Sequence, residues 1–161
     1  MPAIATIGVY CYEVDAFLQM LRSGGVTLLL DVRQRRGVRG PQYAWANARR
    51  LQTLLADAGI AYRHHPELAP TTELRHLQYR EDDRMRVGKR SRQILSPEYT
   101  RRYVAEILDR APLDALVAEL PSEGIAALFC VECHAAACHR SLVADRLAER
   151  FGATVIHLQP D

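Results

Sequence analysis

An open α/β domain, with a mainly parallel sheet of about five strands and helices on both faces, is what the sequence predicts. Three observations carry that reading. Strand-like and helix-like apolar periodicities alternate along the chain. Two strand-like blocks, residues 26–32 (VTLLLDV) and 125–131 (IAALFCV), are unbroken apolar runs, the pattern of strands covered on both faces. Helical blocks separate successive strands, an order that builds parallel sheets through right-handed crossovers.

Residues 4–10 read as the first strand. A helix over 13–23 follows, with Val14, Phe17, Leu18 and Leu21 at helical spacing and Gly24-Gly25 as its stop. The strand 26–32 leads into a glycine- and arginine-rich loop, 33–42, which contains Pro41. Ala44, Ala48, Leu51, Leu55 and Ala58 lie on one stripe and predict a helix over 44–58 that ends at Gly59, and 60–65 is a third strand. The thirty residues 66–95 are polar, arginine-rich and weakly periodic, a long excursion of the kind that forms lids or binding segments. Within it 71–80 predicts a short helix, and Leu74, Leu77, Met85 and Ile94 are its expected anchors. Ser96-Pro97-Glu98 opens a further helix with an N-cap, a first-turn proline and an early acid. A short helix over 113–120, the strand 125–131, a helix over 139–151 stopped by Gly152 and a last strand over 154–158 complete the pattern.

A length of 161 residues with 48% hydrophobic and 25% charged residues fits one domain with a packed core. No apolar run approaches membrane-spanning length, and 26–30 is strand-sized, which excludes a bilayer helix and any membrane role through one. The N-terminus, Met1-Pro2-Ala3-Ile4, has neither a basic n-region nor an apolar h-region, so a cytoplasmic location is expected. The four cysteines then read as thiols rather than a disulfide framework. A net charge of +2 hides an asymmetry: residues 33–102 hold 16 basic and 7 acidic residues, and the remainder 5 and 12. Only Lys89 is a lysine; the other 20 basic residues are arginines. A basic middle of this kind points to an anionic partner, a small molecule or a nucleic acid.

Ligands of open parallel sheets bind beyond the carboxyl ends of the strands. Three such ends carry unusual chemistry here: 8–12 (GVYCY), 31–33 (DVR) followed by Arg35, Arg36 and Arg39, and 130–141 (CVECHAAACHRS). The last is a strand–loop–helix junction with free N–H groups and the positive end of a helix, a cradle for phosphate or carboxylate. In the functional reading Arg33, Arg39, Arg140 and Ser141 bind an anion. Asp31, Glu132 and His139 move protons, and Cys138 is a structural or reactive thiol. The competing reading makes Cys138 and Ser141 helix caps and pairs Arg140 with an acid such as Asp31 or Glu132. No cofactor is expected, and zinc on Cys130, Cys133, Cys138 and His139 is the lesser alternative. His64 and His65 end the third strand near the same rim, while Tyr43, Trp45 and Tyr62 lie near arginines in a mixture that suits nucleobases, Trp45 also reading as core.

Taken together, several short motifs resemble the domain of unknown function 488 family over the whole chain. They are Thr6-Ile7-Gly8, Asp31-Val32-Arg33, the arginine–proline–aromatic stretch 39–43, the segment 64–71 (HHPELAPT) and C-x-E-x5-C-H-R-S at 130–141. The matching positions are Gly8, Asp31, Arg33, Arg39, Pro41, Glu67, Leu68, Cys130, Glu132, Cys138, His139 and Arg140. Val9 and Tyr10 depart from the family pattern, which places histidine or tyrosine and then serine there. The resemblance implies a compact Rossmann-like domain and no established reaction. Two functional classes remain: a small domain acting on an anionic substrate such as a nucleotide or nucleic-acid component, and a non-catalytic nucleic-acid-binding or regulatory module.

Overall fold

A computed structural model describes residues 2–88 and 90–160; Met1, Lys89 and Asp161 lie outside the described residues. The five strands are β1 (Ala3–Gly8), β2 (Val26–Asp31), β3 (Ala61–His64), β4 (Ile125–Cys130) and β5 (Thr154–His157). They form one sheet in the order β3-β2-β4-β1-β5, and every pairing is parallel. From β1 to β3 the chain builds toward one edge, and β4 and β5 then build toward the other. The strand order reverses where β4 inserts between β2 and β1. The register sets Gly8 beside Cys130, and Asp31 beside both Phe129 and His64, so the carboxyl ends form one rim.

Both faces of the sheet are covered, as the unbroken apolar runs require. On one face Ala5, Ile7, Leu29, Ala127 and Phe129 meet Phe17 and Leu21 of α1 (Val14–Ser23) and Leu51 and Leu55 of α2 (Ala48–Asp57). Phe17 packs among Trp45, Phe129 and Tyr12 at ring separations of 4.7, 5.6 and 5.9 Å. On the other face Ile4, Leu28, Leu30, Ala126, Leu128 and Cys130 meet α3 (Thr72–Arg84), α4 (Pro97–Glu106), α5 (Leu113–Ala118) and α6 (His139–Phe151). The Ser96 hydroxyl accepts from the Tyr99 N–H at 3.1 Å, the cap expected before Pro97. Thr71 does the same for Leu74 at 3.1 Å, which starts α3, and the helix runs four residues past the expected 80.

Three expectations are corrected. The predicted helix over 44–58 is two elements, a 3₁₀ segment Pro41–Ala46 and then α2. Asn47 between them is extended, with φ −66° and ψ 140°, and its side chain accepts from the Val38 N–H at 2.7 Å. Leu74 and Leu77 anchor the excursion, but Met85 and Ile94 are 59% and 71% exposed. The ion pairs of Arg92 with Asp82 and Glu132, together with Leu95 against the core, tie down its second half. Finally, the cysteines are not all free: Cys11 and Cys133 form a disulfide with a Cα separation of 5.2 Å, and only Cys130 and Cys138 are thiols. Among the described residues no helix is long and apolar enough to cross a membrane.

A Cβ on Gly8 would fall inside the van der Waals contact of the Glu132 carbonyl oxygen, backbone that has nowhere to go. Gly8→Ala is therefore expected to destabilise the fold by about 1–3 kcal/mol or more, read as a lower urea midpoint at unchanged slope. The Cys11–Cys133 bridge spans a sequence separation of 122 residues. Its reduction, or a Cys11→Ser/Cys133→Ser double substitution, should cost roughly 2–5 kcal/mol in the same measurement.

Candidate functional site

The loops above the carboxyl ends of β2 and β4 enclose a cleft of about 510 Å³. Its walls carry Arg33, Arg35, Arg39, Arg75, Arg90 and Arg92, and its floor Glu132, Cys138 and His139. This is the switch point where the strand order reverses, the position at which open α/β sheets place ligands.

The floor is built by the junction between β4 and α6. Cys130 is the last residue of β4, Cys138 is the N-cap of α6, and His139 is its first residue. His139 Nε2–H donates to the Val32 carbonyl at 2.8 Å, which turns Nδ1 toward two sulfurs, Cys138 Sγ at 3.6 Å and Cys130 Sγ at 3.8 Å. Burial works to raise the Cys138 thiol. The Cys130 S–H, the charge and hydrogen bond of His139, and the Arg140 guanidinium together outweigh it and hold Cys138 well below the usual thiol range. Burial also works to lower His139, and the Cys138 thiolate reverses this and raises it. Cys130 is pushed up by burial and by its anionic neighbour. Burial raises the Glu132 carboxyl to about 7, Cys138 adds to the rise, and Arg92 opposes it.

The family described as Domain of unknown function DUF488 matches residues 13–147. The chain belongs to that family. No curated protein matches it, and no solved structure does. The matched span of this DUF488 chain covers the cleft from Arg33 to His139 and the junction 130–141.

The residues singled out in the sequence meet different fates. Asp31 and Arg33 are buried and bound to one another: Arg33 Nε and Nη2 donate to the Asp31 carboxylate at 2.9 and 2.8 Å, and Tyr62 donates to it at 2.6 Å. Arg33 also donates to the Ala46 carbonyl at 2.9 Å and lies 4.7 Å above the Phe129 ring. Its charge is spent inside the fold. Arg140, fully buried, donates to the carbonyls of Glu132 and Cys133 at 2.7 and 3.1 Å, so it shapes the loop. The Ser141 hydroxyl donates back to the Cys138 carbonyl at 2.9 Å. Of the four expected anion ligands only Arg39 reaches the cleft with its guanidinium unpaired among the described residues. His65 sits apart, between Glu67 at 2.6 Å and Glu119 at 3.1 Å. Cys133 leaves the expected zinc set because its sulfur belongs to the bridge with Cys11.

The sequence reading missed Arg92 and Asp82. Arg92 Nη1 meets Asp82 at 2.6 Å and Nη2 meets Glu132 at 2.8 Å, while Nε and Nη2 donate to the Ala137 carbonyl at 3.1 and 3.0 Å. It fastens the excursion across the floor. Arg90 was missed as well; it lies 5.2 Å from both the Tyr10 and Tyr43 rings and donates to the Arg39 carbonyl at 3.0 Å. Nothing in a run of arginines marks the one that turns inward; the only cue was Gln78 and Asp82 on the apolar side of a helix.

Arg92→Met removes the cation between two mostly buried carboxylates. A loss of roughly 3–5 kcal/mol is expected, together with faster proteolysis within 86–95, read by urea unfolding and limited digestion.

Proposed function

We infer that this DUF488 chain binds an anionic ligand of nucleotide size in the arginine-lined cleft, with Glu132, Cys138 and His139 facing it from the floor. One observation carries the reading: Arg35 and Arg39 line the cleft, are exposed, and have no hydrogen-bond or ion-pair partner for their guanidinium groups among the described residues. Arginines committed to the fold, such as Arg33 and Arg92, are saturated by carboxylates and carbonyls. Arg35 and Arg39 hold open forks suited to phosphate or carboxylate oxygens. The volume of about 510 Å³ suits a small molecule, and the exposed His76 adds a flat surface that stacks on a base. The cleft is bounded on several sides by the loop after β2, the excursion and the β4–α6 junction, which favours a compact ligand over a long strand.

Calorimetric titration with inorganic phosphate, nucleoside monophosphates and a single-stranded oligonucleotide tests the reading. A nucleoside monophosphate is expected to bind, and Arg39→Ala and Arg35→Ala should each weaken it roughly tenfold or more. The reading fails if no mononucleotide binds at millimolar concentration, or if both variants bind as the parent does. Binding confined to the oligonucleotide, with a steep loss on adding salt, replaces it with the nucleic-acid-binding module.

A further inference from the structure

We propose that Cys130, Cys138 and His139 form a tetrahedral zinc site whose fourth position opens onto the arginine-lined cleft. The site goes beyond anion binding and stands without it.

The donor atoms are already gathered. Cys130 Sγ, Cys138 Sγ and a ring nitrogen of His139 all lie within 4.8 Å of one another. Neither cysteine is in a disulfide, and the three residues are 4%, 1% and 4% exposed. The distances have the right size. A tetrahedral zinc ion, with bonds of about 2.3 Å to sulfur and about 2.0–2.1 Å to nitrogen, separates those two donors by roughly 3.6 Å. The imidazole nitrogen stands 3.6 Å from Cys138 Sγ and 3.8 Å from Cys130 Sγ.

The imidazole is also held as a metal ligand is held. Its Nε2–H is committed to the Val32 carbonyl at 2.8 Å, which fixes the ring and leaves Nδ1 as the donor toward the sulfurs. Two thiolates and a neutral imidazole balance a dication, and soft sulfur donors in a tetrahedral set select zinc over magnesium or calcium.

Three ligands leave one corner. Cys138 and His139 line the cleft, whereas Cys130 sits behind them in the core, so the vacant corner faces the cavity. Glu132 stands at that side: Arg92 holds its Oε1 at 2.8 Å, and its Oε2 lies 3.6 Å from Cys130 Sγ. A carboxylate so placed accepts a hydrogen bond from a water in the fourth position. Three protein ligands and an exchangeable fourth is the layout of zinc sites that engage a substrate, not of closed structural ones. Cys133 takes no part. The spacing is therefore C-x7-C-H across a strand–loop–helix junction, unlike the paired C-x2-C of a finger.

The test is metal content and spectroscopy on the full chain, expressed without a polyhistidine tag in zinc-supplemented medium and handled anaerobically without chelator or added reductant, so that the Cys11–Cys133 bridge stays closed. One zinc per chain is expected by mass spectrometry of the elements. Exchange into Co²⁺ should give an intense thiolate-to-cobalt charge-transfer band with tetrahedral d–d absorption. Cys130→Ser and His139→Gln should each weaken zinc binding by roughly a hundredfold or more. Cys11→Ser/Cys133→Ser should keep the metal and the cobalt spectrum. Because a core substitution such as Cys130→Ser can fail to fold, the parent protein decides: far less than one zinc per chain and no cobalt charge-transfer band overturn the proposal. Loss of zinc from a natively folded Cys11→Ser/Cys133→Ser protein overturns this ligand set.

Discussion

A guanidinium sealed from water organises the business end of this sheet. Arg140 is fully buried and has no carboxylate partner among the described residues. Burying a cation costs several kcal/mol, which the structure offsets with the dipoles of two carbonyls, Glu132 and Cys133, and with the nearby Cys138 sulfur, while Nε is left without a hydrogen-bond partner among the described residues. Both belong to the loop that has just left β4, while Arg140 sits in the first turn of α6. One side chain therefore ties the exit of the strand to the entrance of the helix. The Glu132 carbonyl it holds lies against Gly8 of the neighbouring strand, where no Cβ fits. With that knot drawn, Cys130, Cys138 and His139 have little choice of position, and the floor follows from it.

Arginine serves three purposes within a few ångströms, and burial separates them. Arg33 neutralises Asp31 beneath the second strand and stacks on Phe129. Arg92 crosses the cleft to bridge Asp82 and Glu132. Arg35 and Arg39 stand on the wall with open forks. A charge tally along the chain treats all of them alike. The basic surplus over 33–102 is in part an internal framework of ion pairs, and only its remainder stands open to solvent.

The fold was largely legible because its signals are local. Two unbroken apolar runs became the central strands β2 and β4, and Ser96 and Gly152 cap helices where their chemistry requires. The rest was hidden by distance. The stripe through Ala44 and Ala48 continues across Asn47, yet that residue is extended because its side chain caps Val38 in the loop before it. Cys11 and Cys133 lie 122 residues apart, and only the adjacency of β1 and β4 brings them together. The junction 130–141 was recognisable as chemistry. That Arg140 and Ser141 serve the backbone is set by how the loop turns back on the helix start, and that Arg90 and Arg92 arrive from the excursion depends on contacts across 40 to 51 residues.

Stiffness is unevenly shared around the cleft. The floor is stapled by the Cys11–Cys133 bridge, by sheet hydrogen bonds and by Arg140, so it has no slack. The opposite wall is a polar stretch with Met85 and Ile94 in solvent, clasped by Arg92 at its root and by Arg90 against Tyr10 and Tyr43 at its tip. That side of the mouth is therefore held by one guanidinium lying against two tyrosine rings and a backbone carbonyl, whereas the floor is held by a covalent bridge and a sheet ladder.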